Sequence, residues 1–198
     1  MLSQTTHASL LARLRSGSGD IDPAAWHEFH DRYAQLIRGF ASRQGVQPVE
    51  CDDVLQDVLL ALTRDLAKFE YDPERGRFRS YLKTVTLHAV FRRLRQNRAA
   101  GRPDEAERLA AAAMTDPVVE ETWEEQWRQH HLRRALRTVR DEFNDSDLAA
   151  FERYVLQGRS VAETGAELGI SADQVYQAKS RILRRLTAVI DAQVAEEG

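Results

Sequence analysis

Four cations crowd one end of the chain: Lys179, Arg181, Arg184 and Arg185, within SVAETGAELGISADQVYQAKSRILRRL at 160–186. Guanidinium and ammonium groups gathered on a helix can hold phosphates, and polar side chains beside them can read base edges in a groove. Helical spacing puts Asp173, Gln174, Gln177, Ser180, Arg181, Arg184 and Arg185 outward, with Tyr176 and Lys179 at the flanks. Val175, Ala178, Ile182, Leu183 and Leu186 then face inward. Ser160 with Glu163, and Ser171 with Gln174, have the spacing of capping boxes, so both helix starts are marked locally. Gly169 stands where a left-handed turn is needed, and Gly165 suits a close crossing by the second helix. A helical hairpin with a solvated basic face is the plain alternative.

A second constellation lies at 69–98. Phe69, Tyr71, Phe78 and Tyr81 alternate with arginines, a mixture suited to single-stranded nucleic acid: rings stack on unpaired bases while cations hold the backbone. The plain alternative is that Phe69, Phe78 and Tyr81 fill a core and the arginines are solvated. Just before it, Asp53, Gln56 and Asp57 share the wet side of a helix, too few to bind a metal, either simply solvated or a protein-docking face.

Other chemistry finds no footing. His27, Glu28 and His30 lack the H-E-x-x-H zinc spacing, and the Asp52-Asp53 pair has no His or Cys cluster to complete it. Gly-rich phosphate loops and nucleophile elbows are absent. Cys51 is the sole cysteine, so there is no internal disulfide, and the adjacent His130 and His131 are expected at the surface. No catalytic residue, metal or cofactor is assigned, and a hydrolase or metal enzyme has no constellation to support it.

The elements that must position these groups read as helices throughout, without a convincing strand. Asp22-Pro23 starts a helix whose apolar stripe is Trp26, Phe29, Tyr33, Leu36, Ile37 and Phe40. The next, after Pro48, buries Val54, Leu55, Val58, Leu59, Leu62 and Leu66. A long helix covers about 80–97. Residues 73–100 carry eight basic residues against Glu74 alone, whereas 101–126 carry eight acids against Arg102 and Arg108. Two basic surfaces on either side of an acidic connector fit two nucleic-acid contacts, although the 198 residues sum to a net charge of -3. The expected fold class is all-α: one helical domain over 1–98, an acidic flexible linker over 99–117, and a helix-turn-helix domain over 118–198. No apolar run reaches membrane-spanning length and the N-terminus lacks the apolar core of a signal peptide, so the expected location is cytoplasmic, without a membrane partner.

The stretch ECDDVLQDVLLALTRDLAKFEYDPERGRFRSYLKTVTLHAVFRRLRQ resembles region 2 of bacterial RNA polymerase sigma factors of the small, extracytoplasmic-function type. FERYVLQGRSVAETGAELGISADQVYQAKSRILRRL resembles their region 4. The VYQAKSRILRRL ending and LLARLRSG opening are similar to a subgroup associated with planctomycetes. The resemblance implies that Asp52, Asp53, Gln56 and Asp57 dock on the clamp of the largest subunit of core RNA polymerase. It implies that region 4 meets the flap of the second-largest subunit. For the −10 element it implicates the loop residues Phe69, Arg77, Phe78 and Arg79, which would help trap a flipped base. Tyr81, Lys83, Thr84, His88, Arg92 and Arg95 would follow along the −10 DNA. Ser171, Asp173, Gln174, Tyr176, Gln177, Lys179, Ser180, Arg181, Arg184 and Arg185 would read the −35 element. Promoter DNA and core polymerase are thus the implied partners, and control by an anti-sigma protein is implied by the family alone.

Two departures stand out. Where the family often writes W-L-x-x-I-A-x-N-x-x-x-D, this chain has Tyr81, Thr86, His88 and Arg92 at the Trp, Ala, Asn and Asp positions. His88 replaces a common DNA-contacting Asn, so the family's base preference does not carry over, and Arg92 implies an added phosphate contact. The rival reading is a stand-alone helix-turn-helix regulator of duplex DNA, which would explain 160–186 but neither the aromatic-basic loop nor the acidic face.

Overall fold

Local capping chemistry sets several helix starts. The computed structural model describes residues 7–15, 22–65, 78–97 and 103–197. Among them are α1 (His7–Arg15), α2 (Pro23–Arg43), a 3-10 turn (Pro48–Glu50) and α3 (Cys51–Asp65). Then come α4 (Phe78–Asn97), α5 (Pro103–Ala113), α6 (Pro117–Glu142), α7 (Asp145–Phe151), α8 (Val161–Leu168) and α9 (Ala172–Glu197). No strand occurs among the described residues, so the all-α expectation holds.

Asp22 caps α2 by accepting hydrogen bonds from the Ala24 and Ala25 amides, at 3.0 and 3.1 Å. Its other oxygen accepts from Arg13 Nε at 3.0 Å, which ties α1 to the start of α2. The Ala25 amide and then the Arg13 guanidinium hold the Asp22 carboxyl below its usual range.

The chain divides into two units: residues 1–130 with 196–198, and residues 131–195. In the first, α2 packs on α3, α3 on α4, and α4 on α5. The core contains Phe29, Tyr33, Leu36, Ile37 and Phe40 of α2 with Val54, Leu55, Val58 and Leu62 of α3. Leu59 is only partly buried at its edge, and Leu66 lies outside the described residues. α4 is buried over much of its circumference: Phe78, Leu82, Thr86, Leu87 and Val90 are all fully enclosed. The Thr86 hydroxyl is satisfied by donating to Leu82 O at 2.7 Å, which lets a polar side chain occupy a core position.

Three expectations need correction. The segment read as a linker, with room for a nascent helix over its alanines, does hold a helix, α5, but Ala110 and Ala113 are buried and α5 packs against α4 rather than forming a flexible connector. Alanines with a small apolar stripe suffice for a helix once a neighbour covers them. The boundary between units falls after His130, not near 98 or 117, because Val119, Trp123 and Trp127 of α6 join the core of the first unit. Finally, His130 and His131 are both 2% exposed rather than surface residues. His130 stacks on Tyr33, with ring centroids 5.2 Å apart, and His131 Nδ1 lies 3.1 Å from Gln193 Oε1 within the second unit.

In the second unit Ala135 and Val139 of α6, Phe151 of α7, and Ile182, Leu186 and Val189 of α9 form the core. Asn144 caps α7 by accepting from the Asp147 amide at 2.9 Å, and a π turn follows at Glu152–Leu156. α9 extends well past Leu186, and its buried stripe continues through Val189 and Gln193. Leu183, expected inward, is 40% exposed because it flanks that stripe.

Candidate nucleic-acid interface

The helix pair of the second unit is built as its local signals require. Ser160 Oγ accepts from the Glu163 amide at 3.2 Å while the Glu163 carboxylate accepts from the Ser160 amide at 2.9 Å. Bonds from the Ser160 hydroxyl and then its amide hold Glu163 below the usual carboxylate range. Ser171 and Gln174 make the same reciprocal pair, at 3.2 and 2.8 Å. Gly169 closes α8 in the left-handed region, with φ of 65°.

Gly165 is a site of close approach, but the neighbour is the turn rather than the second helix. A Cβ there would lie 2.7 Å from the backbone oxygen of Ile170. Gly165→Ala is therefore expected to destabilise the second unit by about 1–3 kcal/mol from overpacking. Alanine's greater helix propensity, about 1 kcal/mol, opposes this, but the clash is with a backbone carbonyl that cannot swing aside. Urea unfolding followed by circular dichroism measures the difference, and a gain in stability would contradict the packing argument.

On α9, Asp173, Gln174, Gln177, Ser180, Arg181, Arg184 and Arg185 are all exposed, and Ser171 precedes them, exposed as well. Tyr154, which the sequence reading did not single out, organises the flank. Tyr176 meets its ring edge-on at 5.8 Å, and Lys179 Nζ lies 5.1 Å from its centroid. Arg181 pairs with Asp147 at 2.8 Å, and Arg185 donates twice to Glu142, both at 2.6 Å. The bond to Arg185 holds the Glu142 carboxyl below its usual range, and the same pairing raises the Arg185 guanidinium.

The first unit places the other candidates on α3 and α4. Asp52 and Gln56 are exposed, and Asp53 and Asp57 are half-buried on the same side of α3. Asp52 accepts from Arg38 Nε at 2.6 Å, and Asp53 lies 3.2 Å from Arg93 Nη1. Leu60, one turn beyond Gln56, is 55% exposed, an apolar member of this face that helical period alone did not separate from the buried leucines beside it. A cleft of about 330 Å³ opens between α3 and α4, lined by Asp57, Ala61, Tyr81, Thr84, Val85, His88, Ala89 and Arg92. His88 and Arg92 are exposed, and Arg95 is half-buried. Thr84 donates to Ser80 O at 2.9 Å.

The remaining −10 candidates differ. Phe69 and Arg77 lie outside the described residues. Phe78 is fully buried, its ring 6.1 Å from Phe29 and 5.5 Å from Tyr33, so it fills the core rather than offering a face to a base. Arg79 pairs with Glu124 and lies over Trp127, 5.5 Å from its ring centroid. Lys83, 4% exposed, pairs with Glu120. Neither glutamate could be matched to its partner from spacing, since the partners lie 45 and 37 positions apart.

The architecture is thus all-helical, with an acidic and a basic helix side by side in one unit and a capped helix-turn-helix in the other. Residues 29–100 match the family model for sigma-70 region 2. Over this stretch the chain is similar to region 2 of the sigma-70 family. Among curated proteins none matches the chain. Similar solved structures include that of CnrH in complex with the cytosolic domain of CnrY. It is 22% identical over 92% of this chain and 96% of that one, with a TM-score of 0.33. Among the described residues no helix is long and apolar enough to cross a membrane.

Proposed function

We propose that this chain is a two-region sigma factor of the extracytoplasmic-function type, which binds core RNA polymerase and directs it to promoters. The observation that carries this reading is the pairing of two faces inside the region 2 match. Asp52, Asp53, Gln56, Asp57 and Leu60 form an outward face on α3, while His88, Arg92 and Arg95 stand on α4 across a cleft. An acidic helix with an apolar member suits a protein partner, and an adjacent basic helix suits the DNA which that partner opens.

In this mechanism nothing is cleaved or transferred. α3 docks on the clamp of the polymerase largest subunit, and α4 lies along the −10 element. Holding unpaired bases offsets their lost stacking, so binding energy favours the open promoter. α9 enters the major groove at the −35 element, its N-terminal Asp173, Gln174 and Gln177 towards base edges and Arg184 towards phosphate. Arg181 and Arg185 pair with Asp147 and Glu142, so a phosphate would compete with these carboxylates for them.

Run-off transcription on genomic DNA, with core polymerase alone and with the purified chain added, tests the reading. New start sites that share −10 and −35 sequences are the expected result. Tight binding of the chain alone to a palindromic duplex, with no association with core enzyme, would establish the stand-alone regulator instead.

A further inference from the structure

Two of the α4 cations assigned to DNA are already occupied. Arg79 and Lys83, one turn apart, pair with Glu124 and Glu120, which are likewise one turn apart on α6. The cations are largely enclosed, with side chains 18% and 6% exposed, whereas the glutamates remain 38% and 50% exposed. The acidic ladder therefore lies on the solvent side of the basic one, where a nucleic-acid backbone would otherwise lie.

The seat for this ladder is built into the first unit. Trp123 meets Phe40 edge-on at 5.0 Å, and Trp127 stacks towards Tyr33 at 6.4 Å. On α2, Gly39 leaves room for Gln126, whose Oε1 would lie 2.2 Å from an added Cβ. Burial of the two tryptophans and Gln126 holds this part of α6. Ion pairs with half-exposed, solvent-screened carboxylates add little to the stability of a fold. The two pairs are therefore weak as fold supports, yet they neutralise two cations of the proposed DNA-binding helix.

We propose that Glu120 and Glu124 mask Arg79 and Lys83 in the free chain, so that region 2 grips a single strand fully only when these two ion pairs open. The proposal rests on the assignment of α4 to −10 DNA. It makes the acidic stretch after α5 an intramolecular competitor with phosphate for these two cations, which restrains the free factor from binding DNA indiscriminately.

The test is fluorescence anisotropy of a labelled, mixed-sequence single-stranded oligonucleotide with the full-length chain across a salt series. Two phosphate contacts released on a single strand steepen the log–log salt slope by about 1.4, or about tenfold in affinity near 0.15 M salt. E120Q/E124Q is expected to show that gain. E121Q/E125Q, which changes the net charge equally without touching α4, is expected to show less than about half of it on the logarithmic scale. Adding R79Q/K83Q to E120Q/E124Q should abolish the gain. Thermal melts by circular dichroism verify that every variant is folded. If E120Q/E124Q binds no tighter than E121Q/E125Q while R92Q/R95Q weakens binding, masking is wrong and the DNA assignment of α4 stands. If R92Q/R95Q also leaves binding unchanged, the DNA assignment fails and the proposal falls with it.

Discussion

Asp53→Arg combined with Asp57→Arg is expected to abolish binding to core RNA polymerase while leaving the chain folded. Losing one desolvated charge pair at a protein interface costs about 2–5 kcal/mol, roughly 30-fold or more in affinity. Two reversals together put the loss at roughly a thousandfold or beyond. The cost to the fold is far smaller. Asp53 faces Arg93 at 3.2 Å and remains 49% exposed, so its reversal forfeits a screened surface pair of about 0–1 kcal/mol and adds a screened repulsion of similar size. Asp57 lines the cleft with His88 and Arg92 but makes no hydrogen bond to them. Titration of labelled core polymerase with the variant measures the loss, and a circular dichroism melt verifies the fold. The milder Asp53→Asn/Asp57→Asn pair should fall between the variant and wild type, because it removes attraction without adding repulsion. Native core affinity in a folded charge-reversal variant would remove this face from the interface.

How far these surfaces were legible depended on the range of the interactions that make them. The helix-turn-helix was readable because its signals are local. Ser160 with Glu163, Ser171 with Gln174, and Gly169 act within a few residues of themselves, and each forms as its spacing implies. The outward faces of α3 and α9 followed from helical period for the same reason. Leu183 shows the limit, since a residue beside a stripe is assigned by tertiary neighbours rather than by period. Arg79 and Lys83 looked like free cations because their partners lie in a segment whose acidity suggested a connector. That acidity has two functions in the fold: Glu120 and Glu124 answer α4, while Glu125 pairs within its own helix with Arg128 at 2.9 Å. Arg38, the partner of Asp52, lies on α2 and had no signal in spacing at all.

The misplaced domain boundary leads to the second large effect: Trp123→Ala should unfold or nearly unfold the first unit, although sequence reading placed Trp123 in the C-terminal domain. The side chain is 1% exposed, between Phe40 at 5.0 Å and Trp127 at 5.9 Å. Removing a buried tryptophan costs about 3–5 kcal/mol, since burial and packing are lost and the surroundings relax only partly. A domain stable by about 5–15 kcal/mol loses much of its margin. Trp123→Phe keeps the ring edge against Phe40 and should cost less; because the indole Nε1 has no hydrogen-bond partner, no donor is wasted by the change. The same logic fixes the fragment that can stand alone. Residues 1–130 should fold cooperatively and bind core polymerase, whereas residues 1–98 lack the α5 and α6 side chains that close the core. Urea unfolding of both fragments and both tryptophan variants, followed by circular dichroism, decides the matter. A cooperative transition for 1–98 as stable as that for 1–130 would return α6 to the second domain, and would also detach Glu120 and Glu124 from the helix they are argued to restrain.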